Sequence, residues 1–256
     1  MNVQKAPSFI EPMKALPVEK LPEGDWLYEI KFDGYRALAF KNGKDVRLIS
    51  RNKKAFDYPQ LVASLKLLPA DHVILDGEIA ALDEKGRSSF QLLQIFKSSG
   101  NVPLVYFAFD LLFLDGKDLG EQRLSARRKL LAKLVEKAPE NIRFSGELRG
   151  SRDELLRVAQ EFGLEGLVAK RPNSLYESGR RSGAWVNSRL PSLRNSLSAV
   201  TRCLKEAGAT LVPCWSVTGV QMGSCSPAES ALVFRTRCWR ISTRSFKGSG
   251  CRLVLS

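Results

Sequence analysis

The stretch "YEIKFDGYR", residues 28–36, brings a short alternating segment to Lys31, follows it with Asp33-Gly34, and sets Arg36 two residues further on. An Asp-Gly pair between alternating segments signals a hairpin, which makes Lys31 a surface lysine at a turn. The same residues permit a second reading, in which Lys31 is a nucleophile. An amine attacks only when neutral, so it needs burial or cationic neighbours, and phosphate-binding Arg and Lys residues provide the latter. Neither reading is decided by these nine residues.

The surrounding chain repeats the pattern. "YRALAFKNG", "DVRLISRN", "HVILDGEIAAL" and "LVYFAFDLLFLDG" are further short apolar segments separated by Asp-Gly or Asn-Gly turns. Between them lie helical stretches. "FDYPQLVASLKLL" has Pro59 near its start, "LSARRKLLAKLVEKA" has Ser125 as a candidate N-cap, and "SRDELLRVAQEFG" runs from an N-cap Ser151 to a stop at Gly163. The fold class expected is α+β, a mixed arrangement of antiparallel sheets flanked by helices.

Two more segments carry candidate chemistry. "ILDGEIAAL" places Glu78 at the mouth of a strand after a second Asp-Gly, and "GLEGLVAKR" flanks a short apolar strand with Glu165 and Lys170. Each carboxylate alone reads as a solvated surface group. Together they offer what nucleotidyl transfer requires, carboxylates for a divalent ion on phosphates and a cation for charge on the α-phosphate. Phe109 offers an aromatic face for a base, or is a core residue of its strand. The one histidine, His72, precedes a strand and gives no support to a histidine-based mechanism.

Charge divides the chain. The whole carries 40 Lys and Arg against 27 Asp and Glu, a net +13 that favours a polyanionic partner. From Asn187 onward there are ten basic and two acidic residues, twelve serines, no Asp, and all five cysteines, Cys203, Cys214, Cys225, Cys238 and Cys251. An odd cysteine count without a C-x-x-C pair fits neither a disulfide framework nor a zinc site. Such a break marks either a domain boundary or a disordered tail. No run of about 18 apolar residues and no secretory h-region is present, so the protein is expected to be cytoplasmic and not membrane-bound.

In order and spacing, K-x-D-G-x-R, S-R-N, D-G-E, F-D and E-G-x-V-x-K resemble the nucleotidyltransferase motifs of ATP-dependent DNA ligases, a superfamily that includes RNA ligases and mRNA capping enzymes. The flanking text, "LDGEIAALDEKGRSSFQLLQ" and "LGLEGLVAKRPNSLYESGRRSGAW" among it, resembles the ligase domain of bacterial end-joining DNA ligases across residues 1–186. The resemblance implies an adenylation domain there, with ATP and Mg²⁺ or Mn²⁺ as cofactors. Lys31 would form the bond to AMP, Glu29 would contact adenine, and Phe109 would stack on it. Arg36 and Arg51 would hold ribose and phosphate, Glu78 the ribose or metal, Glu165 the metal, and Lys170 the α-phosphate. The implied substrate is nicked or broken double-stranded DNA, joined by a monomer near the nucleoid. A Ku-type end-binding protein and polymerase or phosphoesterase partners are also implied. Alternatives are an RNA ligase, a capping-type transferase, or an inactive DNA-binding remnant.

The tail departs from that pattern. After the Trp of S-G-x-W the family continues with a K-x-K pair and an OB barrel that clamps DNA, whereas here "VNSR" puts Asn187 and Arg189 in the lysine positions. Residues 187–256 contain no recognisable barrel. Restoring one nucleotide after the Val186 codon lets "VNSRLPSLRNS" read V-K-F-K-I-T-K-P-Q-E-F in the shifted frame, which recovers the pair and resembles the start of the barrel. The expectation is therefore that residues 187–256 are an out-of-frame tail, irregular and without an intact OB barrel.

Overall fold

The computed structural model describes residues 7–99, 102–190, 211–213 and 239–241. The chain divides into two units, Met1–Leu190 and Pro191–Ser256. In the second, the described residues form an antiparallel strand pair, Leu211–Pro213 with Trp239–Ile241. The expected absence of a barrel falls almost wholly on residues outside the described ones.

The first unit is built on two sheets. Strands β3 (Tyr35–Asn42), β4 (Asp45–Ser50), β5 (Ala55–Phe56), β6 (His72–Ala81), β7 (Leu104–Leu114) and β8 (Lys117–Asp118) make the larger one, in the order β5-β4-β3-β6-β7-β8 and antiparallel throughout. Strand β9 (Ile142–Phe144) adds to β7 in parallel. The smaller sheet takes β1 (Leu16–Pro17), β11 (Trp185–Arg189), β10 (Gly166–Lys170) and β2 (Leu27–Ile30), in that order. Its strands come from both ends of the unit's sequence. Helices α1 (Pro59–Lys66), α2 (Phe90–Ser99), α3 (Leu124–Val135) and α4 (Arg152–Glu161) flank the sheets, as expected of an α+β fold.

The period-2 geometry of a strand assigns the core. On β3, Ala37 and Ala39 join one apolar cluster with Leu61, Leu75, Tyr106 and Leu131, while Leu38 and Phe40 join another with Met13, Leu112 and Trp185 on the opposite face. A third cluster packs α4, through Leu155 and Ala159, against Tyr28, Leu167, Ala169 and Val186 of the small sheet.

Three local expectations need correction. Asp33-Gly34 is not a hairpin turn, because β2 and β3 belong to different sheets and the segment crosses between them. Asp76-Gly77 is not a turn either: β6 runs through it with irregular register, and Glu78 stands mid-strand, opposite Arg36 and Phe107. Gly77 is there for space, since a Cβ would lie 2.5 Å from the Tyr106 ring and 2.6 Å from the Phe107 carbonyl oxygen. Ser125 is not the N-cap of α3, which starts at Leu124 after Arg123 with no side-chain cap. Elsewhere the local signals hold. Pro59 opens α1, and Ser151 caps α4 with Glu154 completing a capping box. Gly163 follows α4 at φ +63, and the Asp115-Gly116 pair turns β7 into β8 with both φ values positive. Strand β11 continues through Asn187, Ser188 and Arg189, beyond the composition break at 186, because its pairing with β10 is made by backbone groups that composition does not report.

Candidate active site

Lys31 sits where the chain leaves the small sheet for the large one. Its N–H still donates to the Gly166 carbonyl at 3.0 Å, so the backbone is held in register with the start of β10. The next residues are pinned by the segment that joins β6 to α2 and by the start of α2. Asp33 N–H donates to Ser88 Oγ at 3.0 Å, and Phe90 N–H, at the start of α2, donates to Asp33 Oδ2 at 2.9 Å. Gly34 is required at the crossing, where a Cβ would lie 2.2 Å from the Ile79 carbonyl oxygen. The Lys31 ammonium forms an ion pair with the Glu165 carboxylate just before β10. Arg189 Nε lies 3.4 Å from the same Glu165 Oε1.

Behind Lys31 lies a buried charged cluster. Glu29 on β2 is 2% exposed and accepts from Arg128 Nη1 at 2.5 Å, Ser145 Oγ at 2.8 Å and Lys170 Nζ at 3.0 Å. Burial pulls the Lys170 pKa down, against the attraction of Glu29. The Lys170 ammonium is 4.4 Å from the ring centroids of both Phe109 and Trp185.

On the large sheet, Arg36 is bound in bidentate fashion by Asp76, Nε to Oδ1 at 2.9 Å and Nη2 to Oδ2 at 2.6 Å. Tyr176 Oη donates to the same Asp76 Oδ2 at 2.6 Å. Burial works against the Arg36 charge but Asp76 outweighs it, and the pKa is raised. Glu78 is pushed up to about 8 by burial, despite the nearby charges of Arg36 and Lys31.

These groups surround a cleft of about 250 Å³. Its walls include Glu29, Lys31, Arg36, Arg51, Glu78, Phe109 and Lys170, so the structure brings together every residue singled out from the sequence except Glu165, which reaches the site through Lys31. Asn187 and Trp185 of β11 also line it. A wider groove of about 830 Å³ beside α3 and β9, with Lys133, Glu136, Glu140 and Arg143 on its walls, contains none of these residues. Among the described residues no cluster of three or more His, Cys, Asp or Glu side chains is placed to hold a metal, and no helix is long and apolar enough to cross a membrane.

Sequence reasoning missed Asp76, Arg128, Ser145, Tyr176 and Trp185. Asp76 and Trp185 stand in the D-G-E and S-G-x-W motifs without a role of their own, and Arg128 left a trace of another kind. Leu124, Arg127, Arg128, Leu131 and Val135 follow the i, i+3, i+4, i+7, i+11 spacing of a buried helical stripe, and both arginines are indeed inside. Arginines on such a stripe need buried anionic partners, here Asp110 for Arg127 and Glu29 for Arg128.

The profile of the ATP-dependent DNA ligase domain matches residues 7–188. The chain belongs to the ATP-dependent DNA ligase family. Among relatives of this ligase domain, the multifunctional non-homologous end joining protein LigD of Pseudomonas aeruginosa is 40% identical over 184 residues, covering 70% of this chain and 22% of that protein. The multifunctional non-homologous end joining DNA repair protein LigD of Mycobacterium tuberculosis is 37% identical over 174 residues, 67% of this chain and 22% of that one. The ligase chain thus spans about a fifth of the length of these relatives. A solved mycobacterial DNA ligase D in complex with ATP and MES has 34% identity and a TM-score of 0.62, over 70% of this chain and 60% of that one. The ligase domain of Mycobacterium tuberculosis LigD superimposes with a TM-score of 0.61 over 70% and 59%.

Proposed function

We propose that this chain is the adenylating part of an end-joining DNA ligase, with Lys31 as the nucleophile. The observation that carries the reading is the position of Lys31, at the mouth of a cleft whose walls carry Arg36, Lys170 and Phe109 and with its ammonium on Glu165. That set contains a nucleophile, cations for a triphosphate and an aromatic face for a base. The Lys31 amine, once deprotonated, attacks the α-phosphorus of ATP, the N–P bond forms, and pyrophosphate leaves with the electrons of the broken P–O bond. AMP then passes to a 5′-phosphate at a break in duplex DNA, and a 3′-hydroxyl displaces it. Arg36 and Arg51 hold ribose and phosphate, Glu29 and Phe109 take the adenine, and Lys170 answers the charge on the α-phosphate.

The carboxylates fit a magnesium ion, which takes one or two protein carboxylates together with substrate phosphates. Glu165, partly exposed beside Lys31, and Glu78 on the cleft wall would hold it. When bound, the ion neutralises charge on the phosphates. Glu78, whose pKa burial raises to about 8, would have to be in its carboxylate form to serve as a ligand.

From Asn187 onward we read the chain as an out-of-frame remnant of the OB barrel. Support comes from the family text in the neighbouring frame and from the composition change after Val186. Adenylation should then be retained but weakened, because Asn187 stands in a lysine position at the cleft. Sealing should be weaker still, since the lost barrel supplies phosphate contacts to DNA.

The test is incubation with Mg²⁺ and α-labelled ATP. A denaturation-resistant label should appear on Lys31, vanish in Lys31→Ala and decline in Glu165→Ala. Equal labelling of Lys31→Ala refutes the assignment. Transfer to nicked DNA rather than nicked RNA separates the end-joining reading from an RNA ligase, and the gene's codons around Val186 decide the frame.

A further inference from the structure

At the base of the cleft, Lys170 already occupies what a purine would use. Its Nζ lies 2.9 Å from Glu29 Oε1 and 3.0 Å from Oε2. Each of those oxygens also takes a second donor, Arg128 on Oε1 at 2.5 Å and Ser145 Oγ on Oε2 at 2.8 Å. A carboxylate offers about four lone-pair sites, so Glu29 has no acceptor position left. The same ammonium sits against the Phe109 and Trp185 rings, 4.4 Å from each centroid. Hydrogen-bond acceptor and aromatic face are therefore both engaged by one side chain of the protein.

We propose that Lys170 is held on Glu29 until a nucleotide binds and is then displaced by the exocyclic amine of adenine, so that recognition of the base releases the cation to the phosphates. The proposal rests on the assignment of Glu29 and Phe109 to adenine and of Lys170 to the α-phosphate. Arg128 and Ser145 are the residues that stay behind. Arg128 is fixed by a second bond to the Ser145 carbonyl at 2.9 Å and by the Phe144 ring, 4.7 Å from centroid to guanidinium. It keeps Glu29 paired and aimed when the lysine leaves. A buried ammonium cannot be left without a partner, and the triphosphate is the partner it moves to. Guanine presents a carbonyl oxygen at the same ring position, an acceptor facing a carboxylate, and so leaves Lys170 where it is. Base selection then acts on the rate of phosphate chemistry as well as on binding.

Adenosine tests this directly, because it carries the amine but no phosphate to receive the lysine. Lys170→Met keeps the apolar stem and leaves Glu29 with Arg128 and Ser145. In titration calorimetry the variant should bind adenosine roughly tenfold more tightly than the parent, since no ammonium has to be displaced. Unchanged affinity, the mark of a lysine that serves phosphate alone, overturns the proposal, and so does weaker affinity, the mark of a structural role. A second variant, Glu29→Gln, removes the anion that holds Lys170. Labelling of Lys31 from the triphosphate of purine riboside, which lacks the 6-amino group, should rise several-fold above the parent while labelling from ATP falls. A misfolded protein cannot produce that rise, and its absence overturns the proposal. If parental Lys31 takes no label from ATP, it is the ligase reading that fails, and the adenosine comparison still reports on Lys170.

Discussion

Arg127 and Asp110 form a bidentate ion pair with no exposed surface on either side chain, Nε to Oδ1 and Nη2 to Oδ2 both at 2.8 Å. The pair fastens α3 to β7 one residue beyond Phe109, so it fixes the strand that carries the aromatic wall of the cleft. Arg127→Met should cost about 3–5 kcal/mol in urea denaturation, because it strands a buried carboxylate. The double variant Arg127→Met with Asp110→Asn should recover part of that loss, and a double variant no more stable than the single one would count against the argument.

Gly34 is where the chain passes between the sheets, and a methyl group there would press on the Ile79 backbone. Gly34→Ala should destabilise the unit by roughly 3 kcal/mol and remove the label from Lys31. Gly146 has nothing within 4 Å of an added Cβ, so Gly146→Ala is the matched control, expected to stay within about 0.5 kcal/mol of the parent.

Tyr176 Oη donates to Asp76 and accepts from the Met13 N–H at 3.0 Å. Tyr176→Phe leaves that buried N–H without an acceptor, at a cost of about 1–3 kcal/mol. Asp76 keeps Arg36 but loses the group that orients it. The KM for ATP should therefore rise by a larger factor than kcat falls, and steady-state labelling rates over a range of ATP concentrations measure both.

The α4 capping box gives a pH signature. Hydrogen bonds from the Ser151 N–H and hydroxyl hold the Glu154 carboxyl below its ordinary value. A depressed pKa means that the folded state binds the proton less readily, so the contribution is present above the ordinary carboxylate value and is lost as pH falls through the depressed one. The stability difference between parent and Glu154→Gln should accordingly close in acid, and a constant difference from pH 7 to pH 3 would contradict it. Ser151→Ala should cost about 1 kcal/mol at neutral pH.

The residues that line the candidate cleft were more legible than the path of the chain through it. Lys31, Glu78 and Lys170, which line the cleft, were singled out because the order and spacing of K-x-D-G-x-R, D-G-E and E-G-x-V-x-K resemble the ligase motifs, while each residue alone read as a surface group. The same Asp-Gly steps misled the topology. At 33–34 the pair marks a crossing between sheets and at 76–77 a close approach of Tyr106, and local sequence does not distinguish these uses of glycine from a hairpin. The partners of the site residues were less visible still. Ser145 and Asp76 meet Glu29 and Arg36 across sequence separations of 116 and 40 residues, which no periodicity encodes.

The small sheet has a consequence for the order of events on the ribosome. Its strands lie at residues 16–17, 27–30, 166–170 and 185–189, so the two central ones are among the last segments of the unit to be synthesised. The strands of the large sheet have all emerged by residue 144, and it can collapse on its helices while the nascent chain is still growing. Lys31 acquires its carboxylate neighbour only when Glu165 emerges, and the Trp185 wall only when β11 does. A nascent chain halted before β10 therefore carries the strands of the large sheet but lacks the Lys170, Trp185 and Asn187 walls, and the cleft is complete only once β11 has been made.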